Sequence, residues 1–193
     1  MKQQIIKLSP VLLLISAIFS CKKDPEPVNE SELITTMVYS LITSDSTEGA
    51  PTDIANFVFR DLDGDGPNAP VIIKDTLLAN KTYYAIVTLL NESVSPIENI
   101  NEEILEEGAD HQFFYEKSGL NNIAFSYTPL EKDVNGNPIG ITTILESGVK
   151  GNGTIKITLR HEPNKYGLNV ASGEIINAGG ETDIEVSFPV TIK

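Results

Sequence analysis

From about residue 32 onward, polar and apolar positions alternate with a period of two, and the apolar positions are rich in β-branched residues and tyrosine. Alternation of this kind sends successive side chains to opposite faces of an extended segment, so it predicts half-buried β-strands. The segments that carry it are Leu33–Thr43, Ile54–Arg60, Val71–Lys74, Thr82–Leu90, His111–Tyr115, Ile123–Tyr127, Ile139–Leu145, Thr154–Arg160 and Ile184–Ile192. Turn pairs fall between them at Asp63-Gly64, Asp65-Gly66, Asn135-Gly136 and Gly151-Asn152-Gly153, where positive φ costs glycine nothing and asparagine little. The spacing predicts an all-β chain: an antiparallel β-sandwich of immunoglobulin or fibronectin-III type, with 32–193 as a single domain.

One short helical bridge interrupts the strands. Asn101 is placed to cap a turn over Glu102–Glu107, with acidic residues at the positive end of its dipole and Gly108 to stop it. So short a run needs tertiary support, so Ile104 and Leu105 are expected to pack it between two sheets. Its acidic face reads as solvated surface, with a metal role for Glu102, Glu103, Glu106 and Glu107 as the lesser alternative. Leu78, Asn80, Thr82 and Tyr84 are spaced like the Leu-x-Pro-x-Thr-x-Tyr corner of immunoglobulin-like sandwiches, with Asn80 in place of proline. In that corner the Tyr84 hydroxyl would reach back to the backbone upstream. The alternative is a plain hairpin with its two tyrosines on opposite faces.

The first residues follow a different pattern. Lys2 and Lys7 precede an apolar run from Val11 to Phe19, followed by Ser20 and the only cysteine, Cys21. The run is about half of the roughly 20 residues that span a bilayer, so it reads as a processing segment. It predicts a lipoprotein signal peptide over 1–20, a diacylglyceryl group on Cys21, and a proline-stiffened tether over 21–31. The alternative is a stray thiol in an ordinary secretory protein cut elsewhere. Lys22-Lys23-Asp24-Pro25-Glu26-Pro27, just behind the cysteine, resembles the start of Bacteroidota-type lipoproteins. That resemblance implies an outer-membrane protein held by its N-terminal lipid, on the periplasmic or the cell-surface face.

Charge narrows the partners. The chain has 14 basic and 27 acidic residues, a net charge of −13, and no basic run interleaved with aromatics, so nucleic acid is excluded as a partner. A lone cysteine also excludes an internal disulfide.

Asp61-x-Asp63-x-Asp65-Gly66 is the strongest chemical motif. Three carboxylates at alternate positions before a glycine can converge on one hard cation, so Asp61, Asp63 and Asp65 are candidate calcium ligands. The twelfth position of such a loop is Ile72, so no glutamate closes the cage. The alternative is an acidic turn whose side chains cap their own backbone. Asp133-x-Asn135-Gly136-Asn137-Pro138 has a fainter version of the spacing and reads as a hairpin turn. His111 and His161 read as packed strand-end residues, or as a pair able to clamp a haem iron if the fold joins them. Phe113 and Tyr115 share one face of their strand and Phe114 takes the other; exposed, they would be a ligand platform, and buried, part of a scaffold. The serines form no nucleophile elbow, and no carboxylate pair is nominated by spacing.

Phe59–Gly66, His111–Phe114, Leu159–Pro163 and Gly180–Ile184 resemble a family of small, uncharacterised Bacteroidota-type lipoproteins. Some members carry the label of a type 1 periplasmic-binding fold, which would need alternating parallel strands and helices in two lobes, and this chain has no such alternation. The expectation is a non-catalytic outer-membrane lipoprotein: a binding or structural module with a calcium-stabilised loop and an unidentified protein or small-molecule partner. A carrier of haem, lipid or glycan is the alternative, and a hydrolase the third.

Overall fold

Most of the expected strands form because their alternation lets two sheets share one core; the expected Ile139–Leu145 begins only at Thr142, and Val71–Ile73 is exposed along its length. The computed structural model describes residues 33–43, 52–64 and 66–193; the expected signal peptide over 1–20, Cys21, the expected tether and Asp65 lie outside the described residues. In chain order the strands are β1 (Thr36–Thr43), β2 (Ile54–Arg60), β3 (Val71–Ile73), β4 (Thr76–Leu77), β5 (Thr82–Asn91), β6 (Glu98–Asn99), β7 (His111–Ser118), β8 (Ala124–Tyr127), β9 (Thr142–Glu146), β10 (Gly151–His161) and β11 (Glu181–Ile192). A helix, α1 (Asn101–Glu106), precedes β7.

The larger sheet runs β3-β2-β1-β5-β9-β8, with β6 on β5, and the smaller runs β4-β11-β10-β7. All pairings are antiparallel except β4 with β11, a two-residue parallel contact that departs from a purely antiparallel expectation. The two sheets form an all-β sandwich. Tyr39 of the larger sheet meets Tyr115 of the smaller at 5.8 Å between ring centroids, and Phe57 meets Phe188 at 5.9 Å. These distances suit offset or tilted aromatic packing. Met37, Leu41, Val87, Leu89, Ile155, Ile157 and Val190 fill the same core from alternate strand positions.

Three local expectations change. The corner tyrosine is Tyr83, not Tyr84: its hydroxyl accepts the Leu78 amide at 2.8 Å and donates to Asp53 Oδ2 at 2.6 Å, while Tyr84 points outward. Asn101 does not cap α1. Its side chain accepts the Leu89 amide at 2.6 Å and donates to the Val87 carbonyl at 2.8 Å, completing the buried ladder of β5. Only Ile104 of the expected bridging pair is buried, and Leu105 faces outward.

A buried ion pair joins two loops. Lys165 Nζ lies 3.1 Å from Asp133 Oδ2 and also donates to the carbonyls of Gly108 at 2.5 Å and Pro138 at 3.1 Å. Asp133 Oδ1 accepts the amides of Asn135 and Asn137, which makes the expected hairpin turn. Burial alone would raise the Asp133 carboxyl, but the Asn137 amide and the Lys165 ammonium outweigh it and hold it below the usual carboxylate range.

Candidate functional site

The acidic loop leaves β2 at one end of the larger sheet. Asp61 donates its amide to the Thr35 carbonyl at 2.7 Å, and its Oδ1 is buried without a hydrogen-bond partner. Asp63 turns back on its own loop: Oδ2 accepts the Asn68 side-chain amide at 2.8 Å and its backbone amide at 3.2 Å. Gly66 passes so close to Asp63 that a Cβ there would sit 2.1 Å from Oδ2. The Arg60 side chain is committed elsewhere, its Nε 3.1 Å from both carboxylate oxygens of Glu92. Asp63 thus caps its own turn, and Asp61 is the carboxylate with an unsatisfied oxygen. Among the described residues no three acidic, histidine or cysteine side chains converge on a common point.

The fold does bring the two histidines together. They are directly paired across β7 and β10, and their rings stack at 4.9 Å with a 25° tilt. Clamping a haem iron needs two imidazoles facing each other edge-on, their nitrogens directed at a metal between them. Stacked rings present their faces, so this arrangement does not make a haem clamp. His111 is buried, its Nδ1 3.2 Å from the Glu107 carbonyl oxygen and its Nε2 3.8 Å from Asp183 Oδ2. Burial raises the Asp183 carboxyl above its ordinary range, and the two neighbouring imidazoles draw it partly back. Glu181 pairs with His161 across β11 and β10, so 111–114, 159–163 and 180–184 meet at this corner.

Phe113 and Tyr115 are no ligand platform. Both are buried in the main core, Tyr115 donating its hydroxyl to the Gly140 carbonyl at 2.6 Å. Phe114 points the other way and packs with Val170 and Ala178 under the segment that follows β10. Both faces of this strand are therefore covered.

An apolar groove lies instead on the outer face of the larger sheet. Ile54, Ile42, Tyr84 and Ile144 stand at one register across β2, β1, β5 and β9, forming a continuous apolar row. Ile86, one step along β5, extends the floor; Leu105 of α1 and Pro129–Leu130 form the walls. The volume is about 930 Å³. Several of the polar groups along it are already engaged. Ser40 donates to Asn56 at 2.8 Å, the Thr128 and Thr142 hydroxyls bond each other, and Glu131 accepts the amides of Ile141 and Thr142. No reading of the sequence pointed here. The one available signal was that Ile42, Ile54, Tyr84 and Ile86 occupy the outward positions of strands whose alternate residues are also apolar.

No family model, no curated protein and no solved structure matches the chain.

Proposed function

We propose that the chain is an outer-membrane lipoprotein, anchored through Cys21, whose sandwich is a non-catalytic binding module for an apolar ligand of about the size of an acyl chain. The observation that carries this reading is the groove: five outward apolar side chains at adjoining positions, with Ser40 and Glu131 beside them already hydrogen-bonded within the protein. Glycans need free donors and acceptors, and haem needs iron ligands; this floor favours neither. Of the carrier alternatives, lipid fits best. The immunoglobulin-like reading of the sandwich rests on the Tyr83 corner. A calcium role for the Asp61 loop is supported by the buried, unpartnered Asp61 oxygen, with Asp65 outside the described residues.

The test is titration of the purified protein with a fluorescent fatty acid. We expect saturable binding at one site, weakened roughly tenfold, about 1.4 kcal/mol, by Ile42→Asp or Tyr84→Ala at unchanged thermal stability. Binding that does not saturate, or that ignores both substitutions, refutes the groove as the site.

A further inference from the structure

The segment after β10 differs in character from the rest of this acidic chain. From Pro163 to Gly180 only Lys165 and Glu174 are charged, and Lys165 is buried against Asp133. One exposed charge therefore remains, in a chain with 27 acidic residues. Large apolar side chains stand out of the same segment: Tyr166 is 77 % exposed, Leu168 75 % and Ile176 83 %. Val134, beside Asp133 in the neighbouring hairpin, is 93 % exposed.

These side chains project from an ordered scaffold. Asn164 donates its amide to the Ala178 carbonyl at 2.7 Å, Glu174 to Asn169 at 3.1 Å, and the Asn177 side chain to the Leu168 carbonyl at 3.0 Å. Val170 and Ala178 are buried on Phe114, and Lys165 ties the loop to the 133–138 hairpin. Folding therefore holds Tyr166, Leu168 and Ile176 in water, although it buries their neighbours.

The position of the loop suggests what covers it. The Thr35 amide bonds the Leu90 carbonyl, so the chain enters the domain at the end of β5 where Leu89 and Val87 bond Ile100 and Asn101. From there α1 leads to His111, which pairs with His161 immediately before the loop. The chain's entry at Thr35 and the apolar tips thus share one end of the sandwich. The residues between Cys21 and Leu33 reach at most roughly 40 Å when extended, so an anchored domain stays within contact range of its bilayer.

We infer that Tyr166, Leu168 and Ile176, with Val134, form a lipid-facing tip that seats the domain on the membrane holding its anchor. Acyl chains on one cysteine retain the protein without orienting it; apolar tips on an ordered loop fix the orientation. Separate projections suit the headgroup and acyl boundary better than they suit a partner's recess, and a tyrosine among them places an apolar ring and a polar hydroxyl at that boundary. Depletion of charge to the single exposed Glu174 reduces both the desolvation cost and the repulsion that the rest of this acidic surface would meet at an anionic headgroup layer.

The inference rests on the lipid-anchored reading, and the experiment separates the two. The chain contains no tryptophan, so Tyr166→Trp, Ile176→Trp and, as control, Val149→Trp in the turn before β10 each supply a sole reporter. The full chain, recovered from membranes, is reconstituted in phosphatidylethanolamine and phosphatidylglycerol vesicles with or without bromine near the top of the acyl chains. Seating about 5–10 Å deep predicts a roughly twofold or larger loss of emission for the two tip reporters and none for the control. Adding Leu168→Asp is expected to abolish the loss. If mass spectrometry shows lipid on Cys21 and the tip reporters quench no more than the control, the tip is refuted and the anchor stands. If Cys21 carries no lipid, the same vesicles are added to the free chain: quenching that persists upholds the tip, and its absence overturns it. A blue shift without bromine quenching, the mark of a second copy or another protein covering the loop, also overturns it.

Discussion

Lys165 and Asp133 lie 32 residues apart in the chain, yet their side chains meet at 3.1 Å with 3 % and 0 % exposure. The pair joins the hairpin before β9 to the long loop after β10, and its ammonium also serves two carbonyls.

Removing one partner leaves the other charge buried, so Lys165→Ala is expected to cost about 3–5 kcal/mol in urea unfolding. Lys165→Met with Asp133→Asn is expected to recover part of that loss. Because the Asp133 carboxyl is held low in the folded state, its contribution is present above the unfolded value near pH 4 and is lost as pH falls through the lower folded one. Acid titration of stability should be shallower in Asp133→Asn, and parallel curves would remove this account of the pair.

Tyr83→Phe deletes a donor and an acceptor from the corner and is expected to cost about 1–3 kcal/mol, whereas outward-facing Tyr84→Phe should stay within about 0.5 kcal/mol. Thermal unfolding compares them. Burial, with Asp53 beside it, raises the Tyr83 hydroxyl well above its ordinary range, so its contribution is full below about pH 10 and declines as pH climbs past that.

Asp183 has the sign opposite to that of Asp133. Its folded carboxyl is raised by burial, so ionising it works against the fold above the raised value and the cost disappears as pH falls below the unfolded one. Asp183→Asn is therefore expected to raise the thermal midpoint at pH 8 and to lose that advantage by about pH 4. A loss of stability at pH 8 would mean that the contact with His111 outweighs desolvation.

Calcium that binds only the folded state adds roughly 1.4–2.7 kcal/mol at ten to a hundred times its Kd. A calcium site without a closing glutamate is expected at the millimolar end of the range, so chelator should lower the midpoint and millimolar calcium restore it. Asp61→Asn is expected to erase the response. Asp63→Ala should lower stability even without calcium, because Asp63 holds Asn68. Identical melting curves with calcium and with chelator leave the segment an acidic turn.

What the chain determined locally was its strands and turns, because alternation and glycine placement are properties of neighbouring residues. Ile54–Arg60 begins and ends where the pattern does, and the Asp133 turn forms as its spacing indicates. Two-residue strands such as Thr76–Leu77 and Glu98–Asn99 have no period to detect. Tertiary packing decided the rest. Alternation says that Tyr83 and Tyr84 face opposite ways, but only pairing against β1 and closure by the second sheet select the one that turns inward; the same closure buries Phe113 and Tyr115. The apolar row from Ile54 to Ile144 needs four strands in register, and the Lys165–Asp133 pair needs two distant loops to meet. Such alignments depend on contacts between residues far apart in the chain, and no local pattern encodes them.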